Sequence, residues 1–381
     1  MNADCEQPGK TLVAMSGGVD SSVAAALLLE AGHEVIGCFM RLGEPEEPEG
    51  LAPVEACAAS GRGRRKQGCC SVNDAADARL VAAQLGIPLY VMNFRREFDR
   101  VIDYFAAEYA AGRTPNPCVR CNDWLKFGRL HEHAETLGCT HVASGHYARI
   151  GRDSSGEAVL RRGLDPAKDQ TYALFGIRRD RLARTLFPIG EMEKPEVRRL
   201  AEQRGLPIFD KPDSQEICFV PDHDYAGFLR RRDPEGFRRG ALVDEQGRTL
   251  AEHDGHQNFT IGQRRGLGVA ATIPLFVLRK DPHRNEVMVG PREHLRCRGA
   301  RASQVNWLDA SGVPGDWTSC LVQWRLHGEL APAQVRAAQG DVAGIEIRFD
   351  DWRELVAPGQ AIVCYRGDEV LGGGWIDSAI E

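Results

Sequence analysis

Residues 11–22, TLVAMSGGVDSS, decide the fold. Thr11–Met15 is a short apolar run that stops at a Ser-Gly-Gly turn, the mark of a buried strand. Val19–Ala31 is rich in Ala and Leu and is stopped by Gly32, which predicts a helix. Val35–Met40 predicts a second strand and closes a β-α-β unit. The pattern recurs: helices over Asp74–Leu85, Glu97–Ala111 and Asp123–Leu137 alternate with strands at Leu89–Asn93 and His141–Ser144. Such alternation predicts an α/β doubly wound parallel sheet with helices on both faces. Ser16-Gly17-Gly18-Val19-Asp20-Ser21-Ser22 then sits at the carboxyl end of a strand, where these sheets bind ligands. Two glycines let the backbone turn its N–H groups toward an anion, and the helix N-terminus adds the positive end of its dipole. Serine hydroxyls add donors, and Asp20 can hold a magnesium ion against phosphates. No lysine follows, so this is not the GxxxxGK[ST] loop.

Further along, Gly43–Gly68 is Gly/Pro/Glu-rich and then basic, reads as a flexible insertion, and leads into Cys69-Cys70. Pro195–Gly205 predicts a helix with proline near its start. After Pro207 the character changes: Pro212–Pro221 and Gly236–Gly268 are turn-rich. From Leu275 onward short strand-like runs dominate, at Leu275–Leu278, Glu286–Val289, Ser319–Trp324, Ile345–Phe349 and Ala361–Tyr365, which predicts a small C-terminal β-barrel. The expected parts are an α/β catalytic domain over 1–209, a small central connecting domain over 210–277 and a barrel over 278–381. No run approaches ~18 consecutive apolar residues, and the N-terminus lacks a basic segment followed by an apolar one. No membrane association and a cytoplasmic location are expected.

The 381-residue chain has a net charge of −6, yet it carries local basic clusters. These are Arg62, Arg64, Arg65 and Lys66; Arg161 and Arg162; Arg178, Arg179, Arg181 and Arg184; Arg230–Arg232; and Arg264 with Arg265. Nucleic-acid affinity depends on such local surface more than on net charge, although a solvated face is the commoner fate of any one cluster. Twelve cysteines in a chain without a signal segment point to metal or sulfur chemistry rather than a disulfide framework. Cys38, Cys139, Cys297, Cys320 and Cys364 each stand alone and read as packed small hydrophobes. Cys69-Cys70 has no assignment, and a zinc site joining it to Cys118 and Cys121 is disfavoured because adjacent cysteines chelate one tetrahedral ion poorly. His131 and His133, two apart on a helix, read as surface residues; His253 and His256 read as structural or RNA-facing.

Two cysteine segments stand out. Thr114–Asn122, TPNPCVRCN, reads as a proline-stiffened turn carrying Cys118 and Cys121. Asp213–Val220, DSQEICFV, places Cys218 between apolar residues on a short strand. SGGxDS after an apolar strand is the pattern of the PP-loop ATP pyrophosphatases, of the adenine nucleotide alpha hydrolase-like fold. Together with AMSGGVDSS, CFM at Cys38–Met40, TPNPCVRCN, ASGHYAR at Ala143–Arg149, KDQTYAL at Lys168–Leu174, FPIGEMEKPEVR, DSQEICFVP, HDGHQNFTIGQRRGLG at His253–Gly268, PGQ at Pro358–Gln360 and LGGGWI at Leu371–Ile376, it makes the chain resemble the tRNA-specific 2-thiouridylase (MnmA) family over nearly its whole length.

The resemblance implies a tRNA-uridine 2-sulfurtransferase using ATP and Mg2+. ATP would adenylate the 2-oxygen of the wobble uridine, turning a poor leaving group into AMP. It implies ATP on Ala14, Met15, Ser16, Gly17, Gly18, Val19, Asp20 and Ser21, with Met40 and Gly145 near the adenosine. Cys218 would receive sulfur as a persulfide, and Cys121 would release it as sulfide or through a transient disulfide. Asn116, Pro117 and Cys118 would approach the base; His146, Lys168, Asp169, Gln170 and Gln360, with Trp324 and Arg325 in the barrel, match tRNA-contacting positions. Gln323 replaces a basic residue of many members. Cys118 replaces an Asp of many members, so Cys118, Cys121 and Cys218 are also candidate ligands of a [4Fe-4S] cluster, the alternative to the persulfide route. Lys, Gln and Glu tRNAs and a sulfur-donating protein, a cysteine desulfurase or a relay, are the implied partners. An amidating PP-loop ligase needs neither cysteine segment, and a non-catalytic relative would not need SGGVDSS intact.

Overall fold

The computed structural model describes residues 8–43, 72–213, 217–220, 224–339 and 343–381. Strand β1 (Lys10–Ala14) leads into helix α1 (Val19–Glu30), and β2 (Glu34–Arg41) follows. Then come α2 (Val72–Leu85), β3 (Leu89–Asn93) and α3 (Arg95–Ala110). Next are α4 (Pro117–Cys121), a π-helical stretch Asn122–Arg129 and α5 (Leu130–Thr136), helical without a break over 117–136. Strand β4 (His141–Ser144) returns to pair with β1. The parallel sheet has the order β3-β2-β1-β4-β7, with β7 (Thr185–Leu186) at one edge. Alternate residues of β1 serve opposite faces: Val13 and Met15 pack with α1 and α2, whereas Leu12 and Ala14 pack with α3 and the 117–136 helix. A strand buried on both faces reads as a continuous apolar run, which is why Thr11–Met15 is legible as one. The order reverses between β1 and β4, creating the crevice where doubly wound sheets bind ligands.

The antiparallel hairpin β5 (Ala148–Arg152) and β6 (Ala158–Arg162) follows β4. After it come the short α6 (Arg179–Leu182), then α7 (Lys194–Gln203), packed on α1, and α8 (Tyr225–Arg232). The central sheet, order β10-β11-β8-β9, is built from β8 (Gly240–Val243), β9 (Thr249–His253), β10 (Phe276–Asp281) and β11 (Glu286–Gly290). The expected break near residue 277 falls inside β10, because β11 pairs with β8 and Val277, Val287 and Val289 share a core with Leu242. The barrel therefore begins at β12 (Arg296–Trp307) and runs through β13 (Thr318–Gln323), β14 (Ala331–Ala337), β15 (Gly344–Glu354), β16 (Ala361–Arg366) and β17 (Glu369–Ile380). Pairing of β12 with both β15 and β17 closes it.

The barrel is not an appendage. β6 pairs with β17 through Glu369 and Arg161, and one core joins Val119, Phe127, Tyr172 and Phe175 to Val363, Tyr365 and Trp375. Trp324 lies inside the barrel, packed on Phe349 at 5.2 Å and donating its indole N–H to the Glu354 carbonyl at 3.0 Å. The expectation that it touches tRNA is corrected: at 7% exposure it is core. Trp324→Ala is expected to cost roughly 3–5 kcal/mol and to lower the thermal midpoint clearly, with a smaller drop for Trp324→Phe. An unchanged midpoint in the alanine variant would refute the core assignment.

Candidate active site

The Ser16–Ser22 loop spans the end of β1 and the start of α1. Gly17 has φ +71°, and a β-carbon there would lie 2.2 Å from the Asp74 carbonyl oxygen in the first turn of α2. Only glycine fits both the left-handed backbone and the close approach. Gly18 caps α1 in an extended conformation, and no side chain among the described residues caps that end. The hydroxyls of Ser21 and Ser22 instead donate to the Gly18 carbonyl at 3.2 and 2.8 Å, and Ser16 N–H donates to Ser21 Oγ at 3.2 Å. The loop is shaped by its own serines, and the helix N-terminus keeps the anion-binding character of exposed N–H groups. Gly145, just after β4, lies against α1: a β-carbon would be 2.5 Å from Ser21 N.

Two lysines that sequence reasoning left without a role hold this loop. Lys194, at the start of α7 and 8% exposed, places its ammonium 2.7 and 2.8 Å from the Asp20 carboxylate oxygens and 2.9 Å from Asp213. Tyr147 donates its hydroxyl to Asp20 at 2.9 Å. Asp213 also meets Lys168 at 3.0 Å and Arg198 at 2.7 Å. Burial pushes the Asp213 carboxyl up, but hydrogen bonds from Lys194 and Lys168 outweigh it and bring it down to about 2. Lys211 donates to the Gly17 carbonyl at 2.8 Å and to Asp74 and Asp77 at 2.6 Å each. Burial opposes its charge, yet the two carboxylates hold its pKa above the usual lysine value. The Ser16–Ser22 loop is thus tied down by two lysines from far along the chain. The one available signal was the EKPE string of FPIGEMEKPEVR, where a lysine sits at the first turn of a helix against the usual dipole preference.

The cysteines come to the same side of the sheet. Asn116 caps α4 by accepting from Val119 N–H at 3.4 Å, with Pro117 in the first turn. Cys118 and Cys121 therefore lie on a helix, one turn apart, and not on the expected turn, because Asn-Pro is a helix start. Cys118 is exposed and Cys121 half-buried. Cys218 is half-buried in a turn closed by Val220 N–H to the Ile217 carbonyl at 2.9 Å, not on a strand. Its neighbour Phe219 is edge-on to Phe98 and Phe105 of α3, at 5.7 and 5.2 Å. Cys121, Cys218 and Met40 all border one apolar cluster that includes Ala14, Phe94, Phe98 and Leu125. Among the described residues no three His, Cys, Asp or Glu side chains are grouped so as to hold a metal ion. Cys118, Cys121 and Cys218 as placed here are not gathered around one ion, so the three-thiolate cluster does not fit this arrangement. Cys69 and Cys70 lie outside the described residues.

Residues 9–222 match the tRNA methyl transferase HUP domain, 227–291 the tRNA methyl transferase PRC-barrel domain and 297–376 the aminomethyltransferase beta-barrel domain. A tRNA-specific 2-thiouridylase MnmA of Rhodopirellula baltica is 46% identical over 388 residues, covering 98% of this chain and 97% of the relative. That of Geobacter metallireducens is 48% identical, with 97% of each chain covered. This chain belongs to the MnmA family.

Of the positions expected from the family to touch tRNA, the structure turns most inward. His146 is buried, bonded to Ser144 Oγ at 2.8 Å and packed against Phe127 and Phe187; burial holds its pKa well below the usual imidazole range. Asp169 accepts from Arg162 at 2.9 Å, Gly163 N–H at 3.0 Å and Thr171. Gln170 accepts from Tyr147 N–H at 2.9 Å, bracing the tyrosine that holds Asp20. Gln360 donates to the Thr114 carbonyl at 2.9 Å and so grips the turn before the cysteine helix. Buried Gln323 accepts from Tyr365 at 3.2 Å. Arg325 is exposed. His131, read as a surface residue, is buried against Thr185 at 3.2 Å, and burial lowers its pKa to about 4. His256 bridges Asn285 and the Ala110 carbonyl, which is structural. Several arginine clusters are spent on ion pairs, such as Arg161–Asp368, Arg178–Asp180 and Arg184–Glu135, and Arg62–Lys66 lies outside the described residues.

Lys211→Ala should leave the Gly17 carbonyl and two carboxylates without their cation and weaken nucleotide binding at least tenfold, read by equilibrium dialysis with ATP; unchanged affinity would refute its role. The depressed Asp213 carboxyl stabilises the fold fully above its unfolded pKa of about 3.9, and this contribution is lost as pH falls through about 2. Asp213→Asn should therefore narrow the gap to wild type in thermal midpoint between pH 5 and pH 2. A constant gap would sink the assignment.

Proposed function

We propose that this chain is a tRNA-uridine 2-sulfurtransferase that adenylates the 2-oxygen of the wobble uridine with ATP and replaces that oxygen with sulfur. The observation that carries the reading is the convergence of Ala14, Met40, Cys121 and Cys218 on one apolar cluster beside the phosphate loop. ATP takes its place over Ala14, Met15, Ser16, Gly17, Gly18, Val19, Asp20 and Ser21, with Lys194 holding Asp20 and Lys211 holding the Gly17 carbonyl of that loop. Mg2+ typically needs only one or two carboxylates besides phosphate oxygens, and Asp20 suits that part; it would neutralise charge on the departing pyrophosphate. The uridine 2-oxygen attacks the α-phosphorus and pyrophosphate leaves.

The Cys218 persulfide then supplies sulfur. Its outer sulfur attacks C2, AMP departs with the former 2-oxygen, and Cys121 thiolate attacks the Cys218 sulfur. The sulfur–sulfur bond to the base breaks, leaving thiocarbonyl on the base and a Cys121–Cys218 disulfide, which a thiol reductant resets. Exposed Cys118, on the same helix face as Cys121, sits where the base arrives, behind Asn116 and Pro117. Besides Cys118, half-exposed Lys168 and exposed Arg325 are expected tRNA contacts that remain at the surface. The exposed barrel tryptophan Trp352, with Arg298 at 5.0 Å over its ring, adds a platform suited to an unstacked base. Lys, Gln and Glu tRNAs and a persulfide-delivering protein are the partners of this reading. Among the described residues no helix is long and apolar enough to cross a membrane.

In single-turnover assays with unmodified tRNA, Cys218→Ala is expected to abolish thiolation while tRNA-dependent AMP and pyrophosphate release persists. Asp20→Ala should lose both. Normal thiolation by Cys218→Ala would overturn the assignment.

A further inference from the structure

Arg120 lies between the two cysteines of the 117–136 helix but points away from the solvent side that Cys118 occupies. It is 6% exposed. Its guanidinium carbon is 3.8 Å from the ring centroid of Trp375 and 5.1 Å from those of Tyr104 and Trp124. Nη2 donates to Gln304 Oε1 at 2.6 Å, and Nη1 is 3.7 Å from the Asp123 carboxylate. Tyr104 comes from α3 and Trp124 from the cysteine helix itself, whereas Trp375 and Gln304 belong to β17 and β12 of the barrel. A planar cation enclosed by three rings with one directed acceptor has little freedom to turn.

Gln304 is itself unusual. Its φ of +49° lies in the left-handed region that side chains rarely adopt. It sits where the β12–β17 register breaks, between Ser303 opposite Trp375 and Asn306 opposite Gly373. Such a bulge re-aims a side chain, and a strained backbone persists only where its surroundings hold it. Just beyond it, Asn306 donates to the Phe175 and Ile177 carbonyls at 2.6 and 2.8 Å, so the same break grips the α/β domain twice. The helix continues as a π-helix over Asn122–Arg129, a form concentrated at functional sites.

We propose that Gln304 and Arg120 are positioning residues through which the barrel sets the orientation of Cys121 for sulfur transfer, without acting in adenylation. Any shift of β12 moves Arg120, and Cys121 is the next residue. The inference rests on the reading that Cys121 acts in sulfur transfer.

Gln304→Gly tests it, because glycine accepts the positive φ while removing the acceptor. Gln304→Glu keeps an acceptor for Arg120. Persulfide-loaded protein is assayed for single-turnover thiolation, and in parallel for tRNA-dependent AMP release and tRNA affinity. For Gln304→Gly, AMP release and tRNA affinity are expected to stay within about twofold of wild type while sulfur transfer falls about tenfold or more, the scale of a small misalignment of reacting groups. Gln304→Glu should recover most of that loss. Unchanged sulfur transfer in the glycine variant, or an equal fall in AMP release, would overturn the proposal. Cys121→Ala separates the two levels: if it thiolates normally, the reading of the site fails; if it is inactive while Gln304→Gly is fully active, only the positioning role fails.

Discussion

The buried ammonium of Lys194, shared between Asp20 and Asp213, is the interaction on which the site depends. Removing such a charge from water is costly and is offset only by close partners, so neither carboxylate can leave without stranding the other group. Asp20 belongs to the phosphate loop; Asp213 opens the segment that carries Cys218. The Ser16–Ser22 loop and the segment that carries Cys218 are thus held at one cation. Lys211 repeats the device on the other side of the loop, joining the Gly17 carbonyl to α2.

Around that centre the domains interlock. The core that contains Val119 and Phe127 also contains Tyr365 and Trp375, so the helix with Cys118 and Cys121 rests on the barrel. The Thr114 N–H donates to the Pro358 carbonyl at 2.8 Å, and Gln360 grips the carbonyl of the same threonine. Conserving the geometry of the cysteine helix therefore requires the barrel in place. The barrel accordingly shares apolar core with the parallel-sheet domain instead of being tethered by a linker.

Much of this was legible in residue order because it is local. A continuous apolar run, a Gly-Gly turn and an Ala/Leu helix each carry their own signal, and β1, α1, β2, β3 and β4 stand where the periodicity put them. The hairpin β5–β6 carries no clear signal of its own: its strands are short and half-buried, and β6 pairs with β5 and also meets β17 at Glu369. The boundary near residue 277 failed for a similar reason, since β10 and β11 are short strands like those of the barrel, and only their pairing with β8 assigns them to the central sheet.

The sequence by itself determined the doubly wound sheet, the phosphate loop, the cysteine segments and, through ordered motifs, the family. These depend on neighbours a few residues apart. Only the tertiary structure decided which residues face inward: His146, Asp169, Gln170 and Gln360 make internal hydrogen bonds, Trp324 packs in the barrel core, and Lys194, Lys211 and Arg120 find their partners far along the chain. A side chain's role as brace or contact is set by the charge and apolar surface that folding brings around it, and that environment has no period along the chain.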